Sequence, residues 1–234
     1  MRRGQERALF LDRDGVINVD LSYVHSRDQF HFLPGIFDLC RAARDCGFLI
    51  AVVTNQAGIG RGYYSERDFH ELSRWMLGRF LEERVHVAGI YYCPCHPVHG
   101  RGAYRRECEC RKPNPGLLLR AASDLGVDLG RSVMIGDQAH DMQAAAAAGV
   151  GTGILLRDPA TDRSLRHADV WYREASSLSE IARLWFGPSS AGFGAGGPQM
   201  MDAHVPQVSP CAGLRGVLDA TADSLSVALE RHET

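Results

Sequence analysis

Two aspartates two positions apart, Asp12 and Asp14, follow a short apolar run in Phe10-Leu-Asp-Arg-Asp-Gly15. On a tight turn after a strand, one carboxylate can attack an electrophile while the other donates or accepts a proton. Carboxylates so close repel unless a cation lies between them, so the pair points to Mg²⁺. Gly15 lets the backbone come near a ligand. Asp-x-Asp alone is also a common solvated turn. A second segment, Val52-Val-Thr54-Asn55-Gln56, offers a hydroxyl and a backbone N–H to phosphate oxygens, or is simply a polar turn. In a third, Arg111-Lys112-Pro113, the ammonium suits a phosphoryl group and the guanidinium is a bidentate fork, unless both are surface cations. The fourth, Ile135-Gly-Asp137 with Asp141 four residues on, supplies acids that could complete an octahedral Mg²⁺ shell or cap a helix.

Lys112 has a further claim. It is the single lysine among 26 basic residues. GC-rich codon usage explains the arginine bias, but a site needing a compact ammonium resists exchange for a planar fork. The seven cysteines are unevenly spread: Cys40 and Cys46 lie in a helical stretch and Cys211 in the tail. Cys93-x-Cys95 and Cys108-x-Cys110 flank a loop, which reads as a tetrahedral, structural zinc clip.

The elements positioning these groups follow from the apolar pattern. Strands are expected at 8–11, 48–53, 89–92, 132–135, 153–156 and near 169–172. Helices are expected at 36–44, 116–125 and 140–148, and one from Ser65, whose capping partner is Asp68, with an inward stripe of Phe69, Leu72, Met76, Leu77 and Phe80. Alternating strands and helices predict a parallel α/β sheet, and each of the four chemical segments then falls at a strand's carboxyl end, where ligands bind in such sheets. A Pro/Ser/Gly/Ala-rich linker begins at Pro188, and Leu214, Val217, Leu218, Thr221, Leu225, Ala228 and Leu229 fall on one amphipathic helical stripe. Residues 1–187 therefore form the expected domain, and 188–234 a linker and terminal helix. A chain of 234 residues can bury a real core, and its formal charge of −2 argues against nucleic acid bound by bulk phosphate attraction. No apolar run is long enough to span a membrane, and the basic start lacks a secretory apolar core, so a cytoplasmic protein is expected. A monomer is expected, with the tail helix available for a contact.

In order and spacing, the segments resemble the haloacid-dehalogenase-like phosphatases, and among them the heptose bisphosphate phosphatases. The likeness rests on Phe10-Leu-Asp-Arg-Asp-Gly-Val-Ile-Asn18-Val-Asp20, Tyr23-Val-His25, Val53-Thr-Asn-Gln-Ala-Gly-Ile-Gly-Arg-Gly62, Tyr91-Tyr-Cys-Pro94 and Cys108-Glu-Cys-Arg-Lys-Pro113, and covers residues 7–186. The resemblance implies a three-layer Rossmann-like sheet with little or no cap domain and a zinc loop shaping the site. It makes Asp12 the nucleophile that forms an aspartyl-phosphate, and Asp14 the acid and then base. It assigns Mg²⁺ to Asp12, the Asp14 carbonyl and Asp137. The phosphoryl group goes to Thr54, Asn55, Gln56 and Lys112, and substrate contacts to Asp20, Leu21, Ser22, Tyr23 and Arg111. The substrate it implies is a small phosphosugar, a heptose bisphosphate that loses its 7-phosphate on the way to nucleotide-heptose for the cell envelope. The zinc set of that family is usually three cysteines and one histidine. Cys95 stands at the histidine's place here, so the expected set is Cys93, Cys95, Cys108 and Cys110, with His96 or His99 as substitutes. Gln138 stands where relatives often carry Lys, which removes a positive charge near the substrate. A histidinol-phosphate phosphatase shares the catalytic segments, although the Asn18–His25 segment fits a heptose better. A zinc-stabilised phosphosugar binder without catalysis is the alternative of another class, but it would gain nothing from two anionic groups facing a phosphate.

Overall fold

The computed structural model describes residues 6–157 and 171–187, together with the backbone of 217–218. In chain order the elements are β1 (Arg7–Leu11), α1 (Ile36–Asp45), β2 (Phe48–Asn55), α2 (Ala57–Arg61), α3 (Glu66–Glu82), β3 (Val87–Cys93), α4 (Gly116–Leu125), β4 (Val133–Gly136), α5 (Ala139–Ala148), β5 (Thr152–Leu156), β6 (Arg173–Ala175), α6 (Leu178–Trp185) and β7 (Val217–Leu218). They build one sheet in the order β6-β5-β4-β1-β2-β3-β7, parallel except for β7.

The period-two alternation of the central strands makes two cores. Leu9 and Leu11 of β1, Ile50 and Val52 of β2, and Ile90 and Tyr92 of β3 face one side, packed with α1, α3 and α6. Ala8, Phe10, Ala51, Val53, Tyr91 and Cys93 face the other, with the stripes of α4 and α5. That is the three-layer α/β arrangement expected. The α3 capping box forms as read: Ser65 and Asp68 each accept from the other's backbone N–H. Phe69, Leu72, Met76 and Phe80 are buried, whereas Leu77 is only partly so. Among the described residues no cap domain covers the strand ends; the 12–35 connection contains only a short 3₁₀ turn, Arg27–Gln29.

Two expectations are corrected. The sixth strand is Arg173–Ala175 rather than 169–172, of which 169 and 170 lie outside the described residues. Trp171 instead packs its ring over Gly153 of β5, and the polar edge strand pairs after it. In the tail, Val217 and Leu218 are extended rather than helical. They pair antiparallel with Tyr91 and Ile90, occupying backbone groups along the open side of β3. The rest of the linker and terminal helix expected at 188–234 lies outside the described residues.

Candidate active site

The carboxyl ends of β1, β2 and β4 open on a cleft of about 280 Å³. The Asp12 N–H donates to Ile135 O (3.0 Å), so β1's pairing with β4 continues one residue further and aims Asp12 at the cleft floor. Gly15 has φ +85°, and a Cβ there would lie 2.3 Å from Asp137 Oδ2, so only glycine lets the turn approach the end of β4.

Asp12 is only 7% exposed. Its Oδ1 accepts from the Arg13 N–H at 2.7 Å and lies 3.1 Å from Lys112 Nζ. Lys112 does not line the cleft. Its buried ammonium also donates to Val53 O (2.9 Å) and pairs with Asp141 (2.6 Å), which occupies its donors beneath the cleft floor. The ammonium balances Asp12 from below the cleft floor. Asn55 lines the cleft, but its amide is committed to the Lys112 peptide, donating to its carbonyl (3.0 Å) and accepting from its N–H (3.1 Å).

Asp14 sits in a cage. Its carboxylate accepts from Arg13 Nε (3.1 Å) and Nη2 (2.8 Å), Asn18 Nδ2 (3.0 Å) and Gln56 Nε2 (3.0 Å). Gln56 Nε2 also donates to Thr54 Oγ1 (3.0 Å), and its Oε1 accepts from the Tyr64 hydroxyl (2.6 Å). Burial pushes that phenol up to about 12, which keeps it a donor. Gln56, expected to meet phosphate, lines the cleft and also holds Asp14. Arg13, Asn18 and Tyr64 are the members of this cage that sequence reasoning missed. Arg13 and Asn18 lie inside the quoted motif, whereas nothing local marks Tyr64.

Asp20, Ser22 and Tyr23 line one side of the cleft, while Leu21 does not line it and is 52% exposed. Ser22 and Tyr23 are both left-handed (φ 59° and 60°), in a turn held by the Ser22 N–H donating to Asp20 Oδ1 (2.8 Å). Arg111, Gln138 and Asp137 line it too, with Arg61, His96 and His140, which sequence reasoning did not single out as cleft residues.

Four carboxylates, Asp12, Asp14, Asp137 and Asp141, face two close cations, Lys112 and Arg13. Burial, with the neighbouring carboxylates adding to it against Lys112, raises Asp12 to about 8; burial first, then Asp141, raises Asp137 to about 6. This excess of negative charge suits one divalent cation. Oxygen and nitrogen atoms of Asp12, His140 and Asp141 lie within 4.8 Å of one another. Asp141, however, is already committed to Lys112 and, as a helix cap, to the Gln138 N–H (3.0 Å). Asp137 Oδ1 is buried with no hydrogen-bond partner, so Asp12 and Asp137 are the better-fitting oxygen donors for Mg²⁺.

Beside the cleft, the sulfurs of Cys93, Cys95 and Cys108 lie within 4.8 Å of one another. The Cys93 thiol shares hydrogen bonds with those of Cys108, Cys110 and Cys95, which push it strongly up. Four converging thiols suit a tetrahedral ion such as zinc. His96 does not turn to them: its Nδ1 faces the N–H groups of Val98 (3.2 Å) and His99 (3.1 Å), and its Nε2 faces Arg61. Arg111 Nη1 donates to Cys95 O (3.2 Å), tying the cleft wall to the cysteine loop.

Residues 109–176 match the HAD-hydrolase-like family model. The chain is 56% identical over 154 residues to D-glycero-alpha-D-manno-heptose-1,7-bisphosphate 7-phosphatase of Burkholderia mallei, covering 66% of this chain and 82% of that protein. It is 53% identical over 150 residues to D-glycero-beta-D-manno-heptose-1,7-bisphosphate 7-phosphatase of Vibrio cholerae, covering 64% of this chain and 81% of that protein. The crystal structure of a D,D-heptose 1,7-bisphosphate phosphatase from B. bronchiseptica, complexed with magnesium and phosphate, superposes with a TM-score of 0.64 at 28% identity, covering 76% of this chain and 96% of that one.

Proposed function

We infer the activity from a premise the relatives supply: the chain belongs to the haloacid-dehalogenase-like hydrolases, among the heptose-1,7-bisphosphate 7-phosphatases. It is a phosphoric monoester hydrolase that removes the 7-phosphate of D-glycero-D-manno-heptose 1,7-bisphosphate, in the cytoplasmic synthesis of nucleotide-heptose. The observation that carries this reading is the contrast between two carboxylates two residues apart. Asp12 is buried on a cation, and Asp14 is caged by donors beside it.

An Asp12 oxygen attacks phosphorus, and the bond from phosphorus to the C7 oxygen breaks. Asp14 protonates the departing sugar oxygen, leaving an aspartyl-phosphate on Asp12. Asp14, now a base, takes a proton from the water that attacks this phosphorus, which frees phosphate and restores Asp12. The Arg13, Asn18 and Gln56 donors hold the Asp14 carboxyl in place through both steps. Lys112 offsets the Asp12 charge from below, so that Asp12 stays a nucleophile when buried. Thr54 and the Asn55 N–H meet phosphoryl oxygens at the end of β2. Asp20, Ser22, Tyr23 and Arg111 contact the sugar. Asp12, Asp137 and the Asp14 carbonyl would hold Mg²⁺, which would supply charge stabilisation for the phosphoryl oxygens. Cys93, Cys95, Cys108 and Cys110 would hold a structural zinc ion, and their loop, bonded to Arg111 through the Cys95 carbonyl, would fix where Arg111 points.

Phosphate release across a panel of α and β heptose 1,7-bisphosphates, heptose monophosphates and histidinol phosphate tests the reading. Preferred turnover of a heptose bisphosphate to the 1-phosphate supports it. Preference for histidinol phosphate, or binding without phosphate release, overturns it.

A further inference from the structure

A zinc ion asks more of the cysteine loop than four sulfurs. Each thiol must lose its proton to bind the ion, so four thiolates around one divalent cation leave the cluster net anionic. Cys93, Cys95 and Cys108 are buried, and buried negative charge is costly without a partner. The loop brings a guanidinium to the sulfurs: Arg106, itself half-buried, donates through Nε to Cys95 Sγ at 3.4 Å. The backbone places it there. Tyr104 O accepts from the N–H of His96 (3.0 Å) and from that of Arg106 (3.0 Å), which ties the arm carrying Cys95 to the arm carrying Arg106. A Cβ on Gly100 would lie 2.4 Å from the same carbonyl oxygen, so the turn joining the two arms closes around a glycine. Cys95 is thereby held at two points. Arg106 meets its sulfur, and Arg111, a residue of the cleft wall, meets its carbonyl (3.2 Å).

We propose that Arg106 is a positioning residue of the cysteine centre: paired with the Cys95 thiolate, it offsets the charge of the cluster and tightens its hold on zinc. Through the ion it also steadies the loop that seats Arg111. An arginine suits this task, because its charge does not titrate away and its Nε–H is directional. A charge-assisted bond to a metal ligand both fixes the ligand's orientation and stabilises its ionised form. Arg106 does not line the cleft, so it acts through the loop and not on the substrate. The proposal rests on the reading of the four cysteines as a zinc site and adds the group that balances them.

The test measures Zn²⁺ affinity of the full chain by competition with a chromophoric chelator. It compares wild type, Arg106→Gln, Arg106→Lys and Arg105→Gln, and then Cys95→His with and without Arg106→Gln. Arg105 is exposed one residue away, so its variant removes the same charge and leaves the bond to sulfur in place. Loss of an outer partner of a metal ligand predicts that Arg106→Gln weakens Zn²⁺ binding by about 10- to 100-fold, and Arg105→Gln by far less. Arg106→Lys recovers part of the loss, because it keeps the charge but not the directed N–H. With histidine at position 95 the guanidinium has no thiolate to meet, so Arg106→Gln costs little in that background. Turnover of Arg106→Gln falls in step with its zinc content. Unchanged Zn²⁺ affinity in Arg106→Gln, an equal loss in Arg105→Gln, an equal cost with cysteine or histidine at 95, or turnover lost at full zinc occupancy overturns the proposal and leaves the zinc reading standing. A wild type that binds no Zn²⁺ overturns both.

Discussion

Replacing Lys112 by methionine keeps most of the side chain's volume and removes only the ammonium. In the native protein that ammonium has no exposed surface, lies 2.6 Å from Asp141 and 3.1 Å from Asp12, and donates to Val53 O. Its loss strands two buried carboxylates. Breaking a buried pair by removing one partner costs about 3–5 kcal/mol, a large part of a typical total of about 5–15 kcal/mol. For a chain of this size, each kcal/mol moves the melting temperature by roughly 2–4 °C, so a fall of roughly 6–20 °C is expected. The deficit depends on pH with a definite sign. Without metal, Asp12 already titrates near 8 instead of its usual 3.8, even with Lys112 beside it, so the folded state binds the extra proton between those values. Stability from that carboxyl is present below the lower value and is lost as pH rises through the upper one. Removing the ammonium raises the carboxyl further, so the Lys112→Met deficit should be small near pH 5 and large near pH 8. Differential scanning calorimetry in a chelator, at both pH values, measures this. A variant that melts with the wild type at pH 8, or a deficit that grows on acidification, refutes the placement of Lys112 as the counter-charge of Asp12.

Asp12→Asn should abolish phosphate release while the metal-free protein melts no lower than wild type, because a buried charge has been removed; steady-state assay and calorimetry check both. Gly15→Ala forces a Cβ onto the Asp137 carboxylate in a turn with φ +85°, so turnover and the Mg²⁺-induced rise in melting temperature should fall together. Cys108→Ser should lower zinc content, read by elemental analysis, together with turnover, and excess Mg²⁺ should not restore the rate; full activity without zinc would leave the clip unsupported. Removing residues 188–234 should leave kcat and KM unchanged, and precipitation or lost turnover on truncation would show instead that the tail covers the core or builds an interface.

Local chemistry and periodicity carried much of this protein. The alternation Ala8-Leu9-Phe10-Leu11 sends successive side chains to opposite cores because a pleated strand has a period of two. Ser65 and Asp68 mark the start of α3 because the capping box closes within four residues of chain. Cys-x-Cys pairs and Asp-x-Asp also declare themselves, since the groups that must converge are neighbours in sequence. What the sequence left open was which of several equivalent partners each polar group meets. Lys112 could have faced a phosphate or a carboxylate with the same chemistry. Its placement under Asp12 depends on a loop 59 residues from Val53. Gln56 lines the cleft, and its bonds to the Tyr64 hydroxyl and the Asp14 carboxylate join residues that nothing local connects. Val217 and Leu218 keep a helical spacing, yet the open hydrogen-bonding groups of β3 draw them into the sheet. Strand and helix patterns are properties of adjacent residues, whereas hydrogen-bond partners and charge balance exist only after distant segments have been packed together.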